Sequence, residues 1–182
     1  MHIHILGICG TFMGGVAALA REAGHRVTGC DAGVYPPMSD QLRSLGIDLI
    51  EGFGADQMQL RPDMYVIGNV VSRGNPLMEA ILNQGLPYIS GPQWLGEQVL
   101  YSRHVLAVAG THGKTTISTM TAYLLRETNY GCNAFLGGIA VNYEKNYWSS
   151  ANDTAVIEAD EYDRSFLKLS PDIAVLTAID PD

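Results

Sequence analysis

The segment Val105-Leu106-Ala107-Val108-Ala109-Gly110-Thr111-His112-Gly113-Lys114-Thr115-Thr116 runs an apolar, β-branched stretch into a glycine turn that ends in Lys-Thr-Thr. Residues of these types at this spacing suit a nucleoside triphosphate. Glycines let successive backbone N–H groups converge on phosphate oxygens, and Lys114 brings a positive charge to the β and γ phosphates. The Thr115 hydroxyl is a hard ligand for Mg²⁺, and the helix that follows presents its positive end. The expected cofactors are therefore ATP and Mg²⁺, held by Gly110, Thr111, His112, Gly113, Lys114, Thr115 and Thr116. The loop is a shorter variant of the usual phosphate-binding pattern, which wants a glycine where Val108 stands. An ordinary βα turn with a surface lysine is the competing reading, and His112 suits loop shaping or a phosphate edge better than general-base work.

Further along, four acids, Glu158, Asp160, Glu161 and Asp163, fall within six residues after the apolar Val156-Ile157. Such a run is often a solvated turn. A strand over 154–159 in a parallel sheet would instead deliver it to the C-terminal sheet edge, where the phosphate loop must also lie. Mg²⁺ takes hard oxygen ligands and typically only one or two carboxylates, so Glu158 is expected to complete a shell begun by Thr115 and the phosphates.

A third constellation, Gly7-Ile8-Cys9-Gly10-Thr11-Phe12-Met13-Gly14-Gly15, opens the chain and approaches a dinucleotide fingerprint without meeting it, because Cys9 stands where the second glycine is required. What remains is a glycine turn between a first strand and its helix, suited to a pyrophosphate at the helix N-terminus, with Asp31 at the end of the second strand facing a ribose or base edge. NAD and a nucleotide sugar share these needs, and a tight structural turn is the alternative.

Strands and helices must alternate to present such loops. Apolar runs and breakers predict strands over 2–6, 26–30, 47–50, 64–67 and 88–89, with helices over 13–23, 38–45, 77–83 and after Pro92. The pattern restarts with a strand over 104–109 and a helix to about 127. Strands over 132–136, 154–159 and 173–177 follow, with the polar stretch 142–153 read as a loop. The expected fold is α/β: a Rossmann-like doubly wound parallel sheet over 1–101, then the first part of a P-loop ATPase α/β domain over 102–182.

Composition limits the alternatives. Hydrophobic residues make up 47% of the 182, enough for packed cores, and the formal net charge of −8 divides evenly. Residues 1–101 carry 5 Arg against 9 acids, and residues 102–182 carry 6 Lys and Arg against 10 acids. No basic patch invites nucleic acid or an anionic membrane. Cys9, Cys30 and Cys132 are odd in number and lack metal-ligand spacing, so they read as reduced thiols. With no signal-like start and no apolar run near the ~20 residues of a membrane span, a cytoplasmic protein is expected.

Taken in order, G-I-C-G-T-F-M-G-G, A-G-T-H-G-K-T-T and E-A-D-E-Y-D resemble the Mur ligases of peptidoglycan synthesis, and among them the UDP-N-acetylmuramate ligases. Residues 1–116, which include Gly68-Asn69-Val70-Val71-Ser72-Arg73-Gly74-Asn75-Pro76, look most like the branch that attaches a tripeptide. Residues 117–182 look more like the branch that adds L-alanine. The resemblance implies a UDP-sugar domain, a central ATPase domain and a C-terminal domain for the incoming amine. ATP would phosphorylate the lactyl carboxylate of UDP-N-acetylmuramate, and the amine would displace phosphate to form an amide.

By position, the resemblance puts Gly7, Gly10 and Gly15, with Thr11, at the sugar nucleotide and its pyrophosphate, and Asp31, Asn69, Ser72, Arg73 and Asn75 around the rest of its pocket. Lys114 would hold phosphate, while Thr115 and Glu158 would hold the metal, Lys114 and Glu158 being the catalytic pair. The family's metal histidine would follow Asp182, and Thr177-Ala178 stands where the family has Thr-Asn. The expected partners are UDP-N-acetylmuramate with an amino acid or tripeptide, in a parent enzyme of which this stretch alone would not complete catalysis. A nicotinamide-dependent oxidoreductase or a non-catalytic nucleotide-binding module are the readings from other classes.

Overall fold

A computed structural model describes residues 1–143, 145–160 and 166–180. The chain divides into two compact units, Met1–Gly91 and Pro92–Asp182. The division thus falls after Gly91, ahead of the expected boundary after residue 101. The short helix α4 (Gly91–Leu95) and the π-helical turn Gly96–Leu100 account for the difference. Gly96 lies so close to the Lys168 carbonyl that a Cβ would collide with it, which ties this stretch to the second unit.

The first unit alternates β1 (His2–Leu6), α1 (Thr11–Glu22), β2 (Arg26–Asp31), α2 (Met38–Ser44), β3 (Asp48–Glu51), a 3-10 turn (Ala55–Leu60), β4 (Met64–Ile67), α3 (Pro76–Asn83) and β5 (Tyr88–Ser90). The strands form one parallel sheet in the order β3-β2-β1-β4-β5. From β1 the chain winds one way to β2 and β3, then crosses to β4 and β5. The order therefore reverses between β1 and β4, which is where open α/β sheets leave a crevice beyond their strand ends. Central β1 is buried from Ile3 to Leu6, as expected for a strand covered on both faces.

One residue of β1 is a histidine, and its burial is made tolerable by a relay of hydrogen bonds. His4 Nε2 lies 3.1 Å from Gln57 Oε1, and the Gln57 amide nitrogen donates to the Gly52 carbonyl at 3.0 Å. That arrangement makes Gln57 Oε1 an acceptor and assigns the His4 proton to Nε2. Its Nδ1 then accepts from the Thr28 hydroxyl at 2.8 Å, and Thr28 Oγ1 in turn accepts from His2 Nε2 at 3.0 Å.

The second unit holds β6 (His104–Ala109), α5 (Lys114–Glu127), β7 (Asn133–Ala140), β8 (Lys145–Trp148), β9 (Thr154–Glu158) and β10 (Ile173–Leu176), with strand order β10-β6-β9-β7-β8. All pairings are parallel except β7 with β8. The stretch 142–153, expected as a loop, contains β8. Its polar composition concealed a buried Asn146-Tyr147-Trp148, in which the Asn146 amide donates to the Leu136 carbonyl at 3.4 Å. Ala122, Cys132, Ala134, Leu136, Ala140, Trp148 and Val156 form the core between α5 and the sheet.

Burial holds the His4 imidazole down at about 4 from an ordinary 6.5, opposed by its hydrogen bond to Gln57 and aided by nearby His2. The unfolded chain thus binds a proton that the folded one refuses. The contribution of neutral His4 to stability, about 3 kcal/mol, is complete above pH 6.5 and is lost as pH falls toward 4. Denaturant unfolding of the wild type and His4→Gln across this range should show the variant missing that part of the decline. Parallel curves would mean that His4 does not govern it.

Candidate functional site

Two loop clusters stand at the C-terminal edges of the two sheets, and each is described within its own unit. In the second unit, the parallel register pairs Val108 of β6 with Glu158 of β9. The last residue of β9 is therefore level with the start of the phosphate loop. The Thr115 hydroxyl, in the first turn of α5, donates to Glu158 Oε1 at 2.9 Å, and the Gly137 amide of β7 donates to Glu158 Oε2 at 2.9 Å. Both carboxylate oxygens are thereby oriented. Lys114 Nζ folds back onto the Gly110 carbonyl at 2.7 Å, which keeps the ammonium over the loop. Gly113 at φ 83° caps α5, so the amides of the first turn point out of the helix end.

The loop is braced by the segment that carries Thr177-Ala178, the pair standing where the family resemblance has Thr-Asn. After β10, the Thr177 hydroxyl lies between the carbonyls of His112 and Ala109, and the Ala178 carbonyl accepts from the Thr111 amide at 3.0 Å. The Asp180 amide donates to Thr111 Oγ1 at 3.0 Å, and the Asp180 carboxylate approaches His112 Nε2 at 3.4 Å. Gly110 sits at φ 130° beneath this brace, and a Cβ there would strike Thr177 Oγ1 and come within 2.9 Å of the Ala178 backbone. His112 is thus a bracing residue of the loop in this structure, mostly exposed and partnered by Asp180. Thr116 is exposed on the first turn of α5. Ala178 acts through its main chain, which any residue supplies.

A hydroxyl and a carboxylate facing each other beside an ammonium match what a Mg²⁺-bound triphosphate needs, with phosphate and water filling the remaining positions. No group of three or more potential metal-ligating side chains occurs among the described residues. Of the other acids, Asp160 is exposed, while Glu161, Asp163 and Asp182 lie outside the described residues.

In the first unit, the turn after β1 is folded onto the end of β2. The Gly7 and Ile8 amides donate to the Cys30 carbonyl at 2.8 and 3.2 Å, and the Cys9 amide donates to Asp31 Oδ2 at 2.8 Å. Asp31 therefore braces the loop with one oxygen. Burial, with the Asp31 charge nearby, raises the Cys9 thiol above its ordinary value, and burial pushes Cys30 up to about 12. Both are protonated thiols rather than nucleophiles.

The glycines of this turn differ in what they accommodate. A Cβ on Gly7 would lie 2.7 Å from Val70, and one on Gly68 would lie 2.7 Å from the Leu6 carbonyl, so packing demands both. Gly10 is exposed, at an unremarkable φ of −67°, and a Cβ there would meet only the Gly7 carbonyl at an ordinary 3.6 Å. The fold does not require a glycine at position 10. Thr11 begins α1, while Gly15 is buried inside that helix rather than on the loop surface.

The contact between Gly7 and Val70 puts the turn after β4 beside the turn after β1, and Asn69 and Ser72 are exposed along it. Arg73 and Asn75 serve their own neighbourhood. Arg73 binds both oxygens of Glu79 at 2.8 and 3.2 Å, and Asn75 caps α3 by accepting from the Leu77 and Met78 amides at 3.1 Å.

With this geometry in view, similarity to known proteins is specific. Residues 2–103 match the family model described as "Mur ligase family, catalytic domain". The chain belongs to the Mur ligase family. It is 55% identical over 166 residues to the UDP-N-acetylmuramate:L-alanyl-gamma-D-glutamyl-meso-2,6-diaminoheptandioate ligase of Escherichia coli K12, covering 91% of this chain and 36% of that protein. The UDP-N-acetylmuramate:L-alanine ligase of Cereibacter sphaeroides is 38% identical over 180 residues, covering 99% of this chain and 38% of that protein.

This Mur ligase chain spans little more than a third of the length of those relatives. Its likeness to the tripeptide ligase extends over 166 residues and so runs well beyond residue 116. Among solved structures, the Neisseria meningitides tripeptide ligase superposes with a TM-score of 0.96 at 50% identity, over 100% of this chain and 61% of that one. The Thermotoga maritima L-alanine ligase gives 0.89 at 28% identity, over 100% and 42%.

The brace around Gly110 has a measurable cost if disturbed. Gly110→Ala combines a left-handed φ with a collision against Thr177 and Ala178, and is expected to destabilise the protein by about 2–4 kcal/mol in denaturant unfolding. Thr177→Ala in the same background should recover part of that loss, since it removes the nearest atom. A Gly110→Ala variant as stable as the wild type would show that the loop relaxes without the brace.

Proposed function

We propose that this chain supplies the sugar-nucleotide site and the nucleotide loop of a UDP-N-acetylmuramate ligase, with the murein tripeptide as the acceptor that its similarity favours. The observation that carries this reading is the meeting of Thr115 and Glu158 at 2.9 Å beside Lys114, on elements that a parallel sheet brings to one edge. In this reading the second unit is the N-terminal part of a central ATP-binding domain, and ATP and Mg²⁺ are the cofactors. The greater identity to tripeptide ligases, 55% against 38%, favours the peptide over L-alanine as the incoming amine.

Each residue has a part in that chemistry. Mg²⁺, when bound, neutralises phosphate charge and orients the transferring group. Thr115 and Glu158 are the ligands offered from this chain, and the Gly137 amide fixes which way the carboxylate faces. Lys114 moves from the Gly110 carbonyl to phosphate, where its charge offsets what develops in transfer. The first unit holds the UDP moiety over Gly10, with the pyrophosphate at the N-terminus of α1, and Asn69 and Ser72 line the adjoining turn. Among the described residues no helix is long and apolar enough to cross a membrane; the compartment we propose for the activity is the cytoplasm.

Two measurements test this. Calorimetric titration should show binding of UDP-N-acetylmuramate and none of NAD, and Gly10→Leu should abolish the former while leaving the melting midpoint unchanged. Tight NAD binding without a response to the sugar nucleotide would instead support an oxidoreductase. In the complete ligase, Lys114→Ala and Glu158→Ala should each slow amine-dependent phosphate release by roughly 10²-fold or more. A retained rate in either variant would remove that residue from the site.

A further inference from the structure

Strand β7 presents two adjacent glycines where the cation-binding side chains approach it. A Cβ on Gly137 would lie 2.6 Å from the carboxyl carbon and from both oxygens of Glu158, while one on Gly138 would lie 3.2 Å from the Thr115 methyl. Neither glycine adopts a left-handed φ, so the backbone does not call for them. Their neighbours do. The Gly137 amide also donates to Glu158 Oε2, leaving the other oxygen to face Thr115.

We propose that Gly137 is a positioning residue for the nucleotide-bound cation: its bare backbone lets the Glu158 carboxylate lie flat against β7, and its amide sets the carboxylate's rotation. Gly138 does the same more weakly for Thr115, leaving its hydroxyl turned toward Glu158. A side chain at 137 occupies the carboxylate's place and forces Glu158 to swing off the amide, and the swing breaks the alignment with Thr115. Groups that orient a metal ligand typically change metal affinity by 10- to 100-fold when removed, even though they never touch the ion. The proposal rests on the nucleotide-site reading given above.

The test is a double-mutant cycle read by calorimetric binding of ATP with and without Mg²⁺, alongside amide hydrogen exchange. Gly137→Ala should weaken Mg²⁺-dependent ATP binding roughly 10- to 100-fold and leave metal-free ATP affinity and the melting midpoint close to wild type. In the Glu158→Ala background it should have no further effect, because the group it acts through is gone. Gly138→Ala, whose contact a small shift of the Thr115 methyl can relieve, should show a smaller loss.

Exchange at the Gly137 amide should accelerate in Glu158→Ala. Wild-type Mg²⁺-dependent affinity in Gly137→Ala, or an equal loss in both backgrounds, would overturn the proposal. If the wild type shows no Mg²⁺-dependent binding, the nucleotide reading fails. The exchange measurement still decides whether Gly137 holds Glu158: unchanged exchange in Glu158→Ala refutes the positioning role outright.

Discussion

The parallel pairing of β6 with β9 is the constraint on which the proposed nucleotide site of the second unit depends. These strands are distant in sequence, yet their register brings Glu158 beside Val108, and so beside the loop that begins after Ala109. A one-residue slip would turn the carboxylate to the opposite face. That slip is resisted by apolar burial along both strands, with Val105, Ala107 and Val108 packed on one and Ala155, Val156 and Ile157 on the other. The placement of a charged group is thereby fixed by greasy neighbours that have no chemistry of their own.

The first unit solves a related problem with polar contacts. Its turn must stay open toward solvent while keeping a defined shape. The Cys30 carbonyl and the Asp31 carboxylate, both at the end of β2, hold three successive amides of the turn. Farther down the same two strands, Thr28 and the two histidines form a second polar seam. The edge between β1 and β2 is thus stitched at both levels.

Much of this was legible in the chain itself. The strands over 2–6, 64–67 and 104–109 announce themselves as apolar runs, and the turn between β6 and α5 by glycines before Lys-Thr-Thr. What the sequence concealed are contacts made by the backbone or by residues far apart. Thr177, Ala178 and Asp180 brace the loop largely through carbonyls and amides that carry no side-chain signature. Strand β8 was hidden by its Asn and Lys content, although Asn146, Tyr147 and Trp148 are all buried. Gly137-Gly138 lay past the strand expected over 132–136, and the glycine pair hid that β7 runs on to Ala140; glycines inside a strand usually mark close approach of something else.

The absence of any packing demand at Gly10 has a consequence on a longer timescale. Positions such as Gly7 and Gly68 are held by neighbouring atoms, so a side chain there harms the fold whatever the protein does. In the proposed site, position 10 is constrained only by the ligand that would bind over it. A descendant that lost its sugar nucleotide but kept a useful fold would feel no selection there, and side chains would accumulate at position 10 while 7 and 68 stayed bare. On the proposed reading, the residue at that one site is a record of whether the ligand is still in use.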